Sequence, residues 1–192
     1  MASIINSTTT GLIVTPDNSG QLTLSANGVT ALPANTTGYL NFAKQPQING
    51  NEWPAFSAYT NSTTQSISVT TFTKILFQLE EFDTNNNFAS SRFTPTVAGY
   101  YQIVGQICFG GVSTAGLVIP AVFKNGSRFK DGNACPFDST DGSFATVNCV
   151  VYLNGSTDYV ELYVFHRASS TRDLNVNDAA RLYFQGYLIR AA

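Results

Sequence analysis

Few side chains in this sequence could do chemistry. His166 is the only histidine, so a proton-relay triad would need it as base beside a nucleophile on an ordered elbow. No Gly-x-Ser-x-Gly turn supplies that nucleophile. His166 ends the run YVELYVFH and reads as a structural histidine at a strand end. Glu80 and Glu81 could suggest glycosidase carboxylates, but neighbours on a strand point to opposite faces and cannot flank one bond. They read as edge charges that discourage aggregation. Cys108, Cys135 and Cys149 cannot all pair within one chain and form no CxxC pair, so reduced thiols packed in or near a core are expected. Gly110, Gly111 and Gly116 mark a glycine-rich loop without the Lys-Ser/Thr of a phosphate-binding loop, and a flexible strand connection is the better reading. Neither enzyme activity nor a cofactor is expected.

The elements that would carry these residues follow from composition. Of 192 residues, 43% are hydrophobic and 12% aromatic, while only 11% are charged. Ser, Thr, Asn and Gln fill the polar remainder, with few of the residues that favour helices, which excludes a helical bundle. Ten Lys plus Arg against twelve Asp plus Glu leave a net charge of −2, so no basic surface would bind nucleic acid through counterion release. No stretch approaches the apolar length of a membrane span. Met1 to Gly11 shows neither a basic n-region nor an apolar core, and no secretory signal is read there. The Asn-x-Ser/Thr sequons at Asn6, Asn35, Asn61, Asn125 and Asn154 then read as a by-product of Asn, Ser and Thr richness.

The chain falls into two parts. Over residues 1–56 the apolar residues come in scraps, each long enough for one short strand, that cannot build a core from one copy. This part is expected to be an extended arm that orders on another surface, with disorder as the alternative. Over residues 57–192 come β-rich runs: QSISVT, FTKILFQL, YYQIVGQICF, LVIPAVFK, FATVNCVVYL, YVELYVFH and RLYFQGYLIR. Asn-Gly at 27–28, 49–50, 125–126 and 154–155 marks hairpins. The expected fold is all-β, an antiparallel jelly-roll sandwich. Pro120 places LVIPAVFK at an edge or a bulge, because proline cannot donate to a central ladder.

Two late runs are apolar on both faces. Val160, Leu162 and Val164 oppose Tyr159, Glu161, Tyr163 and Phe165, and Leu182, Phe184, Gly186 and Leu188 oppose Tyr183, Gln185, Tyr187 and Ile189. A second aromatic face needs a cover. Identical subunits are the preferred cover, and Tyr159, Tyr163, Phe165, Tyr183, Tyr187 and Ile189 are the expected interface residues; the chain's own arm is the alternative.

The stretch from Phe77 to Gly105 resembles the signature of the complement C1q globular head and its tumour necrosis factor-like relatives. Phe77, Asp83 and Phe88 keep its first spacing, and Phe93, Gly99 and Tyr101 the later part. The gap between Phe88 and Phe93 is two residues short, and Ile103 and Gly105 replace expected aromatics. Lys124-Asn125-Gly126 resembles the mid-domain hairpin. Leu153-Asn154-Gly155 with Asp158, Val160 and Leu162 resembles a later strand opening, and Phe184-Gln185-Gly186-Tyr187-Leu188 the terminal strand. Over residues 57–190 the resemblance implies a jelly roll that packs as a trimer and binds or assembles without catalytic residues. Some members bind calcium, but no Asp-x-Asp-x-Asp-Gly loop is present, and Asp138, Asp141, Asp173 and Asp178 are merely near one another in sequence, so no metal is expected.

The phrases SGQLTLSANGV and TTGYLNF resemble segments of bacteriophage tail fibres and virion appendages. The expected function is therefore a homotrimeric capsid decoration or cement protein on the virion exterior, made in host cytoplasm. Its arm would grip the major capsid protein or another virion protein, with Ile4, Ile5, Leu12, Val14, Leu22, Leu24, Leu40 and Phe42 as anchors. A receptor-binding fibre or spike tip with a host-surface ligand is the alternative, and a secreted complement-like binding protein a second.

Overall fold

The computed structural model describes residues 13–16, 22–26 and 29–34 and residues 53–192 other than 62–63, 110–115, 138–142 and 175–179. In chain order the strands are β1 (Ile13–Pro16), β2 (Leu22–Ala26), β3 (Val29–Ala34), β4 (Ala55–Tyr59), β5 (Ser66–Ile67), β6 (Thr73–Lys74), β7 (Leu79–Asp83), β8 (Phe88–Ala89), β9 (Arg92–Phe93), β10 (Ala98–Phe109), β11 (Leu117–Lys124), β12 (Ser127–Asp131), β13 (Cys135–Pro136), β14 (Ser143–Asn154), β15 (Val160–His166), β16 (Arg172–Asp173) and β17 (Tyr183–Ala191). No helix occurs among the described residues.

The chain divides into Met1–Pro46 and Gln47–Ala192. In the first unit β1, β2 and β3 form an antiparallel meander, with Ala26 opposite Val29. The expected boundary after Phe56 shifts towards the amino terminus, because β4 belongs to the second unit and Phe56 is buried in its core. Ala55 and Phe56 are sandwich residues, not arm.

The second unit packs two large antiparallel sheets, ordered β14-β10-β17-β4-β7 and β12-β11-β15-β9-β8, with β13 added to β11 and β6 to β15, and β16 pairs with β5 in a third, two-stranded sheet. The long strands alternate as their sequences do, and β14 is buried at every second residue from Ser143 to Asn154. Inward residues interleave between the sheets. Phe56 stacks on Phe93 at 4.3 Å and on Phe88 at 5.0 Å between ring centroids, and meets Phe184 edge-on at 5.1 Å. Such pairs add about 0.5 to 1.5 kcal/mol beyond the area they bury. Tyr101 is fully buried and its hydroxyl donates to the Val97 carbonyl at 2.7 Å, satisfying the one polar atom it brings inside.

Small residues set how closely the layers approach. A Cβ at Gly105 of β10 would lie 2.5 Å from Leu162 Cδ1 of β15, so Leu162 fills the space that a side chain at position 105 would take. The family-like residues fall in this core: Phe77, Phe88, Phe93, Tyr101, Val160, Leu162, Phe184 and Leu188 are buried, as are Gly99 and Gly186. Asp83 instead ends β7, and its carboxylate accepts the Phe88 amide at 2.7 Å.

Turns follow their residues. Asn125 and Gly126, both at positive φ, join β11 to β12 with Lys124 opposite Ser127. Pro120 lies beyond the last β12 pairing at Ala121 and before the β13 pairing at Val118, where no partner strand asks for its amide. The run FTKILFQL splits: β6 joins the second sheet, β7 begins only at Leu79, and Ile75 and Phe77 are buried between them without strand pairing.

Candidate self-association surface

His166 is the first chemical candidate to place. It is fully buried at the end of β15, with Nε2 2.9 Å from the Ile67 carbonyl and Nδ1 accepting the Ala168 amide at 3.2 Å. The ring is held as the tautomer that donates through Nε2, with Phe109 and Phe137 beside it. Both nitrogens are engaged by backbone groups inside the core. Of the carboxylates, Asp173 accepts from the Ser66 hydroxyl, while Asp138, Asp141 and Asp178 lie outside the described residues. No group of three or more His, Cys, Asp or Glu that could hold a metal occurs among the described residues. The cysteines are free, Cys108 and Cys149 buried and Cys135 half-buried. Burial pushes the Cys149 thiol up to about 11, with Lys130 partly opposing it. Gly110 and Gly111 are outside the described residues.

The six expected interface residues do not form one patch. Tyr163 and Phe165 lie on β15 and Tyr159 just precedes it, all in the second sheet, whereas Tyr183, Tyr187 and Ile189 lie on β17 in the first. The second sheet's outer face is covered by its own chain. Phe72, just before β6, packs on Phe123 at 5.5 Å and on Phe165 at 5.2 Å, and Phe123 stacks on Tyr163 at 3.9 Å. Arg128 and Arg92 lie over the Phe72 and Tyr159 rings. An ion triad pins the cover: the buried Glu161 carboxylate accepts Lys74 Nζ at 2.7 Å and Arg92 Nη2 at 2.9 Å. Burial alone would raise the Glu161 pKa, but those two cations hold it below the ordinary glutamate value. The cover expected from other subunits or from the arm comes here from the segment before β6.

Among the described residues of the second unit, none covers the first sheet's outer face in this way. Across β14, β10 and β17 the register sets Tyr152 beside Tyr100, and Val150 beside Gln102 and Tyr187; farther along, Ser57 of β4 faces Phe82 of β7. Tyr187 is 55% exposed and Tyr100 47%, with Val150, Tyr152, Phe144, Ile189, Phe82 and Leu79 also exposed. Tyr100 and Tyr152 meet edge-on at 5.5 Å. A depression of about 190 Å³ opens on this face among Phe82, Gln102, Val104, Gln185 and Tyr187. Only Tyr187 and Ile189 of the expected interface residues stand exposed on it. Sequence reading missed the others, although the alternation Phe144, Thr146, Asn148, Val150, Tyr152 already set them on one face.

No protein-family model and no curated protein matches this chain. Solved structures do. The crystal structure of murine APRIL at pH 5.0 superposes with a TM-score of 0.51 at 13% identity, over 72% of this chain and 100% of that one. The same protein at pH 8.5 gives 0.50 at 12% identity, with the same coverage. Eiger TNF from S. frugiperda gives 0.49 at 10%, over 73% of this chain and 94% of that one. The second unit is a tumour necrosis factor-like jelly roll. At these identities the likeness is one of fold alone. Within this jelly roll the outer face of the first sheet carries the exposed aromatic side chains Tyr100, Tyr152, Tyr187, Phe82 and Phe144 among the described residues. Of the expected anchors in the other unit, Val14, Leu22 and Leu24 lie on β1 and β2, while Ile4, Ile5, Leu12, Leu40 and Phe42 lie outside the described residues.

Proposed function

We propose that the protein is a non-catalytic homotrimer. Its jelly roll self-associates through the outer face of the first sheet, and its amino-terminal unit attaches it to a larger particle. A decoration or cement role on a virion exterior is the reading we favour. The open face from Tyr152 and Tyr100 to Tyr187 and Phe82 supports self-association, since contiguous aromatic surface of this kind is ordinarily covered. The virion role is supported by the fibre-like phrases of the first unit and by the division of the chain at Pro46. A cement protein binds only the assembled shell and so stabilises it by mass action, and three attachment units per trimer raise avidity without one tight contact. The receptor-binding tip uses the same trimer, and a secreted ligand would fit the same fold. Counting copies on purified particles separates them: many copies tracking a lattice mean decoration, few mean a tip, and none removes the particle role.

Native mass spectrometry of the full chain tests the trimer. A species of three times 20.7 kDa is expected at micromolar concentration. Tyr100→Ser with Tyr187→Ser weakens it at least about tenfold, the loss expected when central aromatic anchors are truncated. A monomer at every concentration, or a double variant that assembles as the natural chain does, sinks the proposal.

A further inference from the structure

The open face ends on two different kinds of edge. At β7 the sequence Leu79-Glu80-Glu81-Phe82-Asp83 puts three carboxylates on the outermost strand. None of the three makes an ion pair among the described residues. Glu81 is the extra residue where the β4–β7 register shifts, and its carboxylate accepts the Ser57 hydroxyl at 2.8 Å, which holds it over the open face beside Phe82. The opposite edge is β14, and packed against it is β12 of the second sheet. Two of the cations there are neutralised locally: Lys124 pairs with Asp158 and Arg128 with Asp131. Lys130 makes no ion pair among the described residues, is exposed, and lies close enough to β14 for its charge to act on the Cys149 thiol.

A ring of three identical chains cannot use one patch against itself; each contact joins two different surfaces, and the rotation closes them. The first sheet offers such a pair. Its apolar rows run from Tyr152 and Val150 at β14 to Phe82 and Leu79 at β7, so each edge is continuous with the greasy centre; carboxylates rim the β7 edge, and at the β14 edge Lys130 adds a positive charge beside the locally paired Lys124 and Arg128.

We infer that copies of this chain dock head to tail, the Glu80 and Glu81 carboxylates of one copy facing Lys130 of the next across the rim of the tyrosine face. The occupant of the face is thus a second copy of this chain, and the charges supply orientation and encounter rate more than bulk affinity. This inference rests on the trimer proposed above and adds its direction. Such rim pairs are screened as the Debye length falls from about 10 Å at 0.1 M salt to about 3 Å at 1 M, so trimer formation is salt-sensitive.

The test is charge exchange in the full chain, read by native mass spectrometry and light scattering at low and high salt, with circular dichroism as the folding control. At low salt Glu81→Lys and Lys130→Glu each weaken the trimer about tenfold, the cost of placing like charges together. Combining the two restores it, because the pair is re-formed with its signs exchanged. A double variant as weak as either single, or singles that assemble like the natural chain at both salts, overturns the head-to-tail pairing while the trimer stands. A natural chain that is monomeric throughout overturns both.

Discussion

Replacing Glu161 with Gln keeps the size of the side chain and removes its charge. The carboxylate is 3% exposed and takes a hydrogen bond from Lys74 Nζ at 2.7 Å and from Arg92 Nε at 2.9 Å. A hydrogen bond to a charged group contributes about 1.5 to 3 kcal/mol, a neutral one about 0.5 to 1.5, so two such losses amount to roughly 2 kcal/mol. Lys74 at 24% and Arg92 at 41% exposure regain water once released, which trims the net loss to about 1.5 kcal/mol. For a domain of this size that lowers the melting point by about 3 to 6 °C. Since folding depresses the Glu161 pKa, its contribution is fully present above the unfolded value of about 4.3 and is lost as pH falls through the lower folded value. Urea unfolding of the natural chain and Glu161→Gln should therefore differ at pH 7 and converge as acid takes the solution below the folded value. Both are measured at one protein concentration, because self-association adds to apparent stability. A deficit below about 0.5 kcal/mol at pH 7, the scatter of ordinary surface changes, refutes the reasoning, as does a deficit that persists unchanged in acid.

Two further outcomes follow from the packing. Gly105→Val places a Cβ 2.5 Å from Leu162 Cδ1, and the overpacked sandwich should lose about 1 to 3 kcal/mol in denaturant titration; a neutral result would mean that the sheets separate freely there. A thiol reagent at about pH 8 should modify Cys135 well before Cys108 or Cys149 in the native chain and all three equally in denaturant, because burial holds the Cys149 thiol near 11. Equal native rates at Cys135 and Cys149 would contradict that burial.

The long strands were legible in the sequence because their alternation spans many residues: LVIPAVFK coincides with β11, and FATVNCVVYL lies within β14. The terminal Phe184, Gly186 and Leu188 declared their inward face in the same way. The edge strands β7 and β12 were not legible. LEEFD and SRFKD are mostly charged, and they are strands only because a neighbour supplies one row of hydrogen bonds while the other side faces water. Which outer face is exposed was legible only in part, for a related reason. Period-two reading shows that β15 and β17 each have an aromatic outer face, but the cover over β15 depends on Phe72 and Lys74, far from β15 in sequence, meeting Phe165 and Glu161. The triad of Glu161, Lys74 and Arg92 carries no local motif, and only the fold assembles it.

The outer rim of β14 has a further consequence. At Thr146 the backbone amide donates to Asn133 Oδ1 at 2.7 Å and the carbonyl accepts the Asn133 amide at 3.0 Å, while the Tyr152 carbonyl is taken by Lys124 Nζ at 2.8 Å. Residues on one side of a strand alternate in the direction they offer, so between these two plugs only Asn148 and Val150 present free rungs to a newcomer. A typical strand needs about five or six residues of ladder to take hold. The β14 edge is therefore a poor template for fibril growth, and dilution followed by reconcentration should not seed a precipitate through it.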